Sequence, residues 1–335
     1  METKKIRALA LFSGGLDSAL AIKTILNQGI EVIALNFVSH FFGGKNEKAE
    51  NMAKQLGIRL EYIDFKKRHT SVVQEPVYGY GKNMNPCIDC HSLMFKIAGE
   101  LLEEYDAQFI ISGEVLGQRP MSQNSQALEK VKLLSGMHDL VLRPLSAKLL
   151  PPSKAELEGW VDREKLLDIQ GRSRHRQMEL MEQYGIIDYP SPGGGCLLTD
   201  PAYSDRLRIV EEDKLLKEDN SYIFYLLRAA RFFRFSEAKY LFVGRDNVSN
   251  EKIKEFMEQG NGKFYLYTHQ VPGPRMLSNE ELNEEEKEFA KQLFSRYSKV
   301  KGKEKIEVNV CGQIEEVEAL DIEKFDKKRE KYQII

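Results

Sequence analysis

The chain has 335 residues and a mass of 38.5 kDa, with 42% hydrophobic and 30% charged residues, which is enough for a sizeable core divided between two domains and excludes a disordered tail or a disulfide-stapled miniprotein. Lys and Arg number 49 against 51 Asp and Glu, a formal charge of −2, so a basic coat protein is excluded and any nucleic-acid surface must come from local clustering. No run approaches the roughly 18 apolar residues of a membrane span, and the apolar stretch in METKKIRALALF is too short for a signal peptide, so a cytoplasmic protein with no membrane partner is expected.

In chain order, residues 6–12, 30–37 and 58–64 are short β-rich runs separated by helical stretches at about 16–28 and 47–56. This βαβαβ start predicts an α/β fold, a doubly wound parallel sheet with ligands beyond the carboxyl ends of its strands. Met94, Ile97, Ala98, Leu101, Leu102 and Tyr105 recur at helical spacing, which predicts an amphipathic helix over 89–105 feeding a strand at 107–112. Ser153 and Glu156 have capping-box spacing after Pro151-Pro152 and start another helix near Ala155. YPSPGGGC at 189–196 reads as a loop or domain margin. Beyond about 205 the composition changes: an Arg-rich helical stretch at 227–235, strands at 240–243 and 263–268, an acidic helix, and a final strand EKIEVNV. The expected division is therefore 1–205 for the first domain and 206–335 for a second, smaller α+β domain.

Ser13-Gly14-Gly15-Leu16-Asp17-Ser18 follows the first strand and opens the first helix, so two glycines let the backbone close on a ligand while helix N-terminal amides face it. That geometry binds phosphate. The Gly-Lys-Ser/Thr ending of the usual P-loop is missing, which disfavours kinase or GTPase chemistry. Leu35, Asn36 and Phe37, at the end of the second strand, are candidates for an adenine contact by position alone.

Cys87 and Cys90 stand three positions apart at a helix start, a setting expected to lower thiol pKa, and Cys196 follows a glycine run that permits close approach. Three readings stay open for this trio: a 4Fe-4S cluster with one open iron, a persulfide and disulfide pair formed by Cys90 and Cys196, and structural zinc completed by His91. His91 itself reads as a solvent-facing helix residue, and Cys311 as a packed core thiol.

SGGLDS in its strand-loop-helix context resembles the PP-loop of ATP pyrophosphatases, the adenine nucleotide alpha hydrolase-like enzymes that cut ATP between the α and β phosphates. That likeness implies that Ser13, Gly14, Gly15 and Ser18 hold pyrophosphate oxygens, that Leu16 belongs to the same ATP-binding loop, and that Asp17 positions Mg2+. Together with NPCIDC and GGGC, it makes residues 1–205 similar to the tRNA-thiolating PP-loop enzymes, the 4-thiouridine synthetases and 2-thiouridylases, and most similar to short cluster-dependent relatives of the former. The resemblance implies that ATP adenylates a uridine carbonyl, that AMP leaves with its oxygen, and that sulfur from inorganic sulfide or a carrier arrives at a 4Fe-4S cluster held by Cys87, Cys90 and Cys196. It favours 4-thiouridine over 2-thiouridine. A non-catalytic RNA-binding factor and a lysidine-synthetase-like ligase are the rivals, neither of which needs three cysteines.

Members of the 4-thiouridine synthetase family usually carry an RNA-binding region ahead of the PP-loop, whereas here the loop begins at residue 13, so the C-terminal region is expected to grip tRNA. From 228 to 245, Arg228, Arg231, Arg234, Lys239 and Arg245 oppose only Glu237 and interleave with Phe232, Phe233 and Phe235, which suits phosphate contacts beside packing aromatics. Residues 243–275 resemble the NFACT-R RNA-binding module, which implies RNA-backbone contacts for Arg245, Asn247, His269 and Arg275. A second basic cluster, Arg172, Arg174 and Arg176, is expected to dock tRNA phosphates near the cysteines. A homodimer is compatible with such a module serving a neighbouring subunit, although no residue points to it.

Overall fold

The computed structural model describes residues 5–44, 47–187, 189, 195–298, 305–317 and 332–334. They form two compact units, Met1–Thr199 and Asp200–Ile335. The expected margin at 205 falls inside a helix of the second unit, Pro201–Glu212, whose start is set by the Asp200 carboxylate accepting from the Tyr203 amide and by Pro201 in its first turn.

The first unit carries a parallel sheet in the order β3-β2-β1-β4-β5, from β1 (Arg7–Leu11), β2 (Glu31–Val38), β3 (Arg59–Asp64), β4 (Phe109–Ser112) and β5 (Val141–Leu142). The central strands are apolar because helices cover both faces. Ala8, Ala10 and Ala34 pack on the side of α1 (Leu16–Leu26) and α2 (Glu47–Leu56); Leu9, Leu35, Phe37 and Ile110 pack on the side of α4 (Cys87–Glu100). Between them in sequence lies α3 (Lys66–Gln74); α5 (Ser125–Ser135), the short α6 (Lys154–Leu157, started by the predicted Ser153/Glu156 box) and α7 (His175–Gln183) complete the unit. The chain runs outward in both directions from β1, so the switch point falls between β1 and β4, and their carboxyl ends open the crevice where such sheets bind ligands.

In the second unit, after α8 (Pro201–Glu212), α9 (Ser221–Ala229) ends before the aromatic run, and Arg231–Ser236 is a strand, β6, not the helix expected over 227–235. Phe232 stacks on Phe242, and Phe233 packs on Phe289 from the opposite face. The adjacent Phe232 and Phe233 bury on the two faces of the strand, so the run shows no period of two and periodicity misleads there. The strand joins β7 (Lys239–Val243), β8 (Phe264–Tyr267), β9 (Met276–Ser278), β10 (Ile306–Val310), β11 (Gln313–Val317) and β12 (Gln333–Ile334) in an antiparallel sheet ordered β11-β10-β8-β9-β7-β6-β12, with α10 (Asn247–Glu258) and the acidic α11 (Glu284–Tyr297) among its helices. The Asn283 side chain caps α11, and its Phe289, Leu293 and Phe294 enter the core. Cys311 is exposed rather than packed: with Gly312 it makes the two-residue turn between β10 and β11, both at positive φ (51° and 90°), as a hairpin of primed type requires.

Candidate active site

The phosphate loop lies at the end of β1. Gly14 adopts φ +76°, and a Cβ there would come within 2.9 Å of the Ala49 backbone in α2, so both conformation and packing demand glycine. Gly15 is the N-cap of α1; its amide donates to the Ser13 hydroxyl at 3.3 Å, and the Ser18 hydroxyl donates to its carbonyl at 2.8 Å. Asp17, in the first helical turn, is half-buried. Its Oδ2 accepts from the Gln118 amide at 2.9 Å and lies 3.6 Å from the Arg174 guanidinium, while Oδ1 is buried with no hydrogen-bond partner. An orphaned carboxylate oxygen at a helix N-terminus beside a phosphate cradle has the donor chemistry of a Mg2+ ligand.

Two residues of this network gave no signal in the sequence. Gln118, in the loop after β4, reaches Asp17, and the buried Gln177 of α7 donates to it in turn at 3.5 Å. Gly113 packs so closely on Asp17 and Ser18 that a Cβ would meet backbone at 2.5–2.7 Å, which fixes the β4 end against the loop. Of the three arginines expected to dock tRNA phosphates, Arg174 lies 3.6 Å from Asp17 at the phosphate loop, Arg176 pairs with Asp168 at 2.6 Å, and Arg172 is exposed. Leu35 and Phe37 bury their side chains in the core, and Asn36 donates to the Phe12 carbonyl at 3.0 Å, holding the entry to the loop.

The cysteines lie at the same carboxyl edge. Cys87 is the first residue of α4, Cys90 is one turn on and buried, and Cys196 precedes a short turn in which the Leu197 amide donates to the Phe41 carbonyl at 2.9 Å. Of the glycine loop before it, residues 190–194 lie outside the described residues. The helix start does not lower the Cys90 thiol as expected. Burial, then the nearby Cys196 and Cys87, push Cys90 well above the ordinary thiol value, and burial is also the main cause that pushes Cys196 up to about 11. Desolvation outweighs the helix dipole. The three sulfurs therefore act on one another electrostatically, yet among the described residues no group of three or more His, Cys, Asp or Glu side chains is placed to hold a single metal ion.

His91 is not a solvent-facing residue. Its Nδ1 lies 2.7 Å from Glu114 Oε1, and Arg143 Nε donates to Glu114 Oε2 at 2.8 Å. Burial pushes the Glu114 carboxyl up, but Arg143 and His91 outweigh it and hold it at about 2. This buried ion cluster ties α4 to the ends of β4 and β5.

In the second unit, Asn247, His269 and Arg275 come together around a cavity of about 380 Å³, with Arg275 stacked 4.7 Å over the Tyr267 ring; Arg245 is exposed nearby in sequence. Arg228 is exposed. Arg231 and Arg234 are engaged within the fold: Arg231 donates to the Gly244 carbonyl and stacks 4.0 Å over Tyr297, and Arg234 bonds the buried Asp213 carboxylate, which also accepts from Tyr240 at 2.6 Å.

Two family models match stretches of the chain. Residues 4–156 match the family described as Thiamine biosynthesis protein (ThiI), and residues 230–333 match the NFACT protein RNA binding domain. The chain is 32% identical over 146 residues to a probable tRNA sulfurtransferase of Thermococcus kodakarensis, covering 42% of this chain and 36% of that protein. It is 27% identical over 135 residues to a tRNA-specific 2-thiouridylase of Fusobacterium nucleatum, covering 38% of each. The matched stretch thus spans well under half the length of these relatives. Among solved structures, a 4-thiouridine synthetase–RNA complex with bound ATP aligns with a TM-score of 0.38 at 21% identity, over 62% of this chain and 53% of that one.

Proposed function

We propose that the chain is an ATP-dependent tRNA sulfurtransferase that adenylates a uridine carbonyl and replaces its oxygen with sulfur, giving 4-thiouridine. The observation that carries this reading is the convergence of a phosphate cradle containing an unpartnered Asp17 oxygen and three mutually interacting thiols at the carboxyl edge of one parallel sheet. A uridine carbonyl oxygen is a poor leaving group, so the cradle and the thiols answer the two needs of the reaction: activation of oxygen and delivery of sulfur.

In this reading the amides of Gly14 and Gly15 and the N-terminus of α1 bind ATP phosphates, Asp17 would hold a Mg2+ ion that offsets their charge, and Gln118 and Arg174 orient Asp17 and the departing pyrophosphate. The uridine oxygen attacks the α phosphorus, pyrophosphate leaves, and sulfur then displaces AMP at the same carbon. Cys87, Cys90 and Cys196 would hold a 4Fe-4S cluster, which when bound supplies an iron site open to sulfide. The tRNA is gripped by the second unit through Arg228, Arg245, Asn247, His269 and Arg275, a reading supported by the match to an RNA-binding domain and by the cavity these last three line.

The test is an anaerobic reaction of cluster-reconstituted protein with unmodified tRNA, Mg-ATP and sulfide, read by mass spectrometry of the digested nucleosides. A thiouridine with the absorbance of the 4-isomer is the expected product, and the 2-isomer would move the reaction to the other carbonyl. Cys196→Ala should keep ATP binding and lose the thionucleoside. Thionucleoside made by Cys196→Ala would overturn the ligand assignment.

A further inference from the structure

The segment between α3 and α4, residues 75–86, is rich in glycine and tyrosine, a composition that ordinarily gives a loose loop. Here its path is fixed from both cysteine segments. The buried Asp89 carboxylate, between Cys87 and Cys90, accepts the Val77 amide at 2.6 Å and the Tyr78 amide at 3.2 Å. Asn85 donates to the Cys87 sulfur at 3.2 Å, and Asn83 donates to the Thr199 carbonyl at 2.7 Å, whose own hydroxyl donates to the Cys196 carbonyl. The Tyr80 hydroxyl donates to the Val73 carbonyl at 2.6 Å.

This rigid frame holds apolar side chains out in solvent. Val77 is 71% exposed and Tyr78 37%, and the Lys130 ammonium lies 4.9 Å over the Tyr78 ring. Lys82 and Arg119 are also exposed, and Arg119 is close enough to Cys196 to act on it electrostatically. A partly exposed aromatic ring carrying a cation on one face is suited to a flat π-system attached to a polyanion.

We infer that Tyr78, backed by Lys130 and flanked by Val77, is a stacking seat for an unpaired nucleobase of the substrate RNA, built into the wall of the cysteine site. This rests on the RNA-modifying reading above and adds to it where the RNA enters. Because Asp89 and Asn85 tie the seat to the residues beside the thiols, a base stacked on Tyr78 is held in fixed register with the site of sulfur delivery. The seat is a binding element. The Tyr78 side chain takes no part in bond making.

The test uses the full chain and a tRNA transcript carrying 5-iodouridine in place of uridine, irradiated, digested with trypsin and mapped by mass spectrometry, with filter binding of the same RNA in parallel. The expected adduct falls on the peptide 69–82 and disappears in Tyr78→Ala, whose RNA affinity drops roughly 5- to 100-fold, while Tyr78→Phe binds like the parent. Since the loop is held through backbone amides and other side chains, Tyr78→Ala keeps its fold, and an unchanged melting temperature checks this. Adducts confined to other peptides, or unaltered affinity in Tyr78→Ala, overturn the seat. If RNA binds and is thiolated with no trace at Tyr78, only this inference falls; if tRNA does not bind at all, the proposed function falls with it.

Discussion

Replacing Gly113 with alanine tests how the fold positions the phosphate loop. The added methyl would lie 2.5 Å from the Ser18 amide nitrogen, 2.6 Å from the Ser18 Cα and 2.7 Å from the Asp17 carbonyl carbon. Comfortable contacts between such atoms begin at about 3.5 Å, so the end of β4 and the first turn of α1 must part by roughly 1 Å. Neither side is a flexible tip: β4 is locked to β1 by the register Ala8↔Phe109 through Leu11↔Ser112, and α1 packs on both. Overpacking of this kind costs about 1–3 kcal/mol, which at roughly 2–4 °C per kcal/mol lowers the melting temperature by several degrees and leaves the protein folded. A displacement of about 1 Å at Asp17, by contrast, should slow the chemistry on the order of 100-fold. The assay is AMP release from labelled ATP with tRNA present, beside a thermal melt. A Gly113→Ala protein that melts several degrees lower yet releases AMP within twofold of the parent rate would refute the positional argument, and an unchanged melt would refute the packing itself.

Arg174→Ala should raise the KM for ATP about tenfold and leave the salt dependence of tRNA binding unaltered; a shallower salt slope instead would return Arg174 to the RNA surface. His69 is buried against Phe65, and burial, helped by the charge of His40, holds it at about 3, so it stays neutral in the folded protein while the unfolded chain takes up a proton below about 6.5. The unfolded state then binds more protons, and stability should fall as pH drops from about 6.5 toward 3. His69→Phe should flatten urea-denaturation stability over that window, and an equally steep profile in the variant would contradict the assignment. In the second unit, Arg234→Ala should lower stability, by about 3 kcal/mol, because it removes the counter-ion of the buried Asp213 carboxylate and leaves it only neutral donors such as Tyr240; Arg228→Ala should keep the melt and reduce the salt slope of RNA binding by about 0.7–0.9.

The first unit was legible in the sequence because its signals are local. β1 and β2 are short apolar runs, β3 is a β-rich edge run, helical stretches separate them, and SGGLDS combines turn glycines with a helix start, so the first three strands and the site position follow from alternation. Gln118, Gln177 and Gly113 were not legible, since their roles depend on which loop the fold brings to Asp17 across about one hundred residues of chain. The same holds for Arg174, which a charge count groups with Arg172 and Arg176 although the three end in different surroundings. In the second unit, RFFRF misled because its adjacent Phe232 and Phe233 bury on the two faces of the strand and show no period of two, and only the neighbours Phe242 and Phe289 tell strand from helix.

The cysteines separate the competing chemistries further. A helix start favours thiolate, but around Cys90 and Cys196 burial and the neighbouring sulfurs favour the neutral thiol, so positive charge must be brought in before these groups act as ligands or nucleophiles. The cluster proposed above would supply that charge through its iron, whereas a persulfide cycle on Cys90 and Cys196 would run on thiols that burial disfavours from ionising. The difference can be read in metal-free protein by alkylation with iodoacetamide at pH 7.5, followed by peptide mapping. The turn residue Cys311, exposed between β10 and β11, should be modified first and the buried Cys90 last, with Cys196 accelerating only as pH approaches 11. Early modification of Cys196 or Cys90 at neutral pH would instead reveal an activated thiolate and shift the sulfur chemistry to the persulfide route.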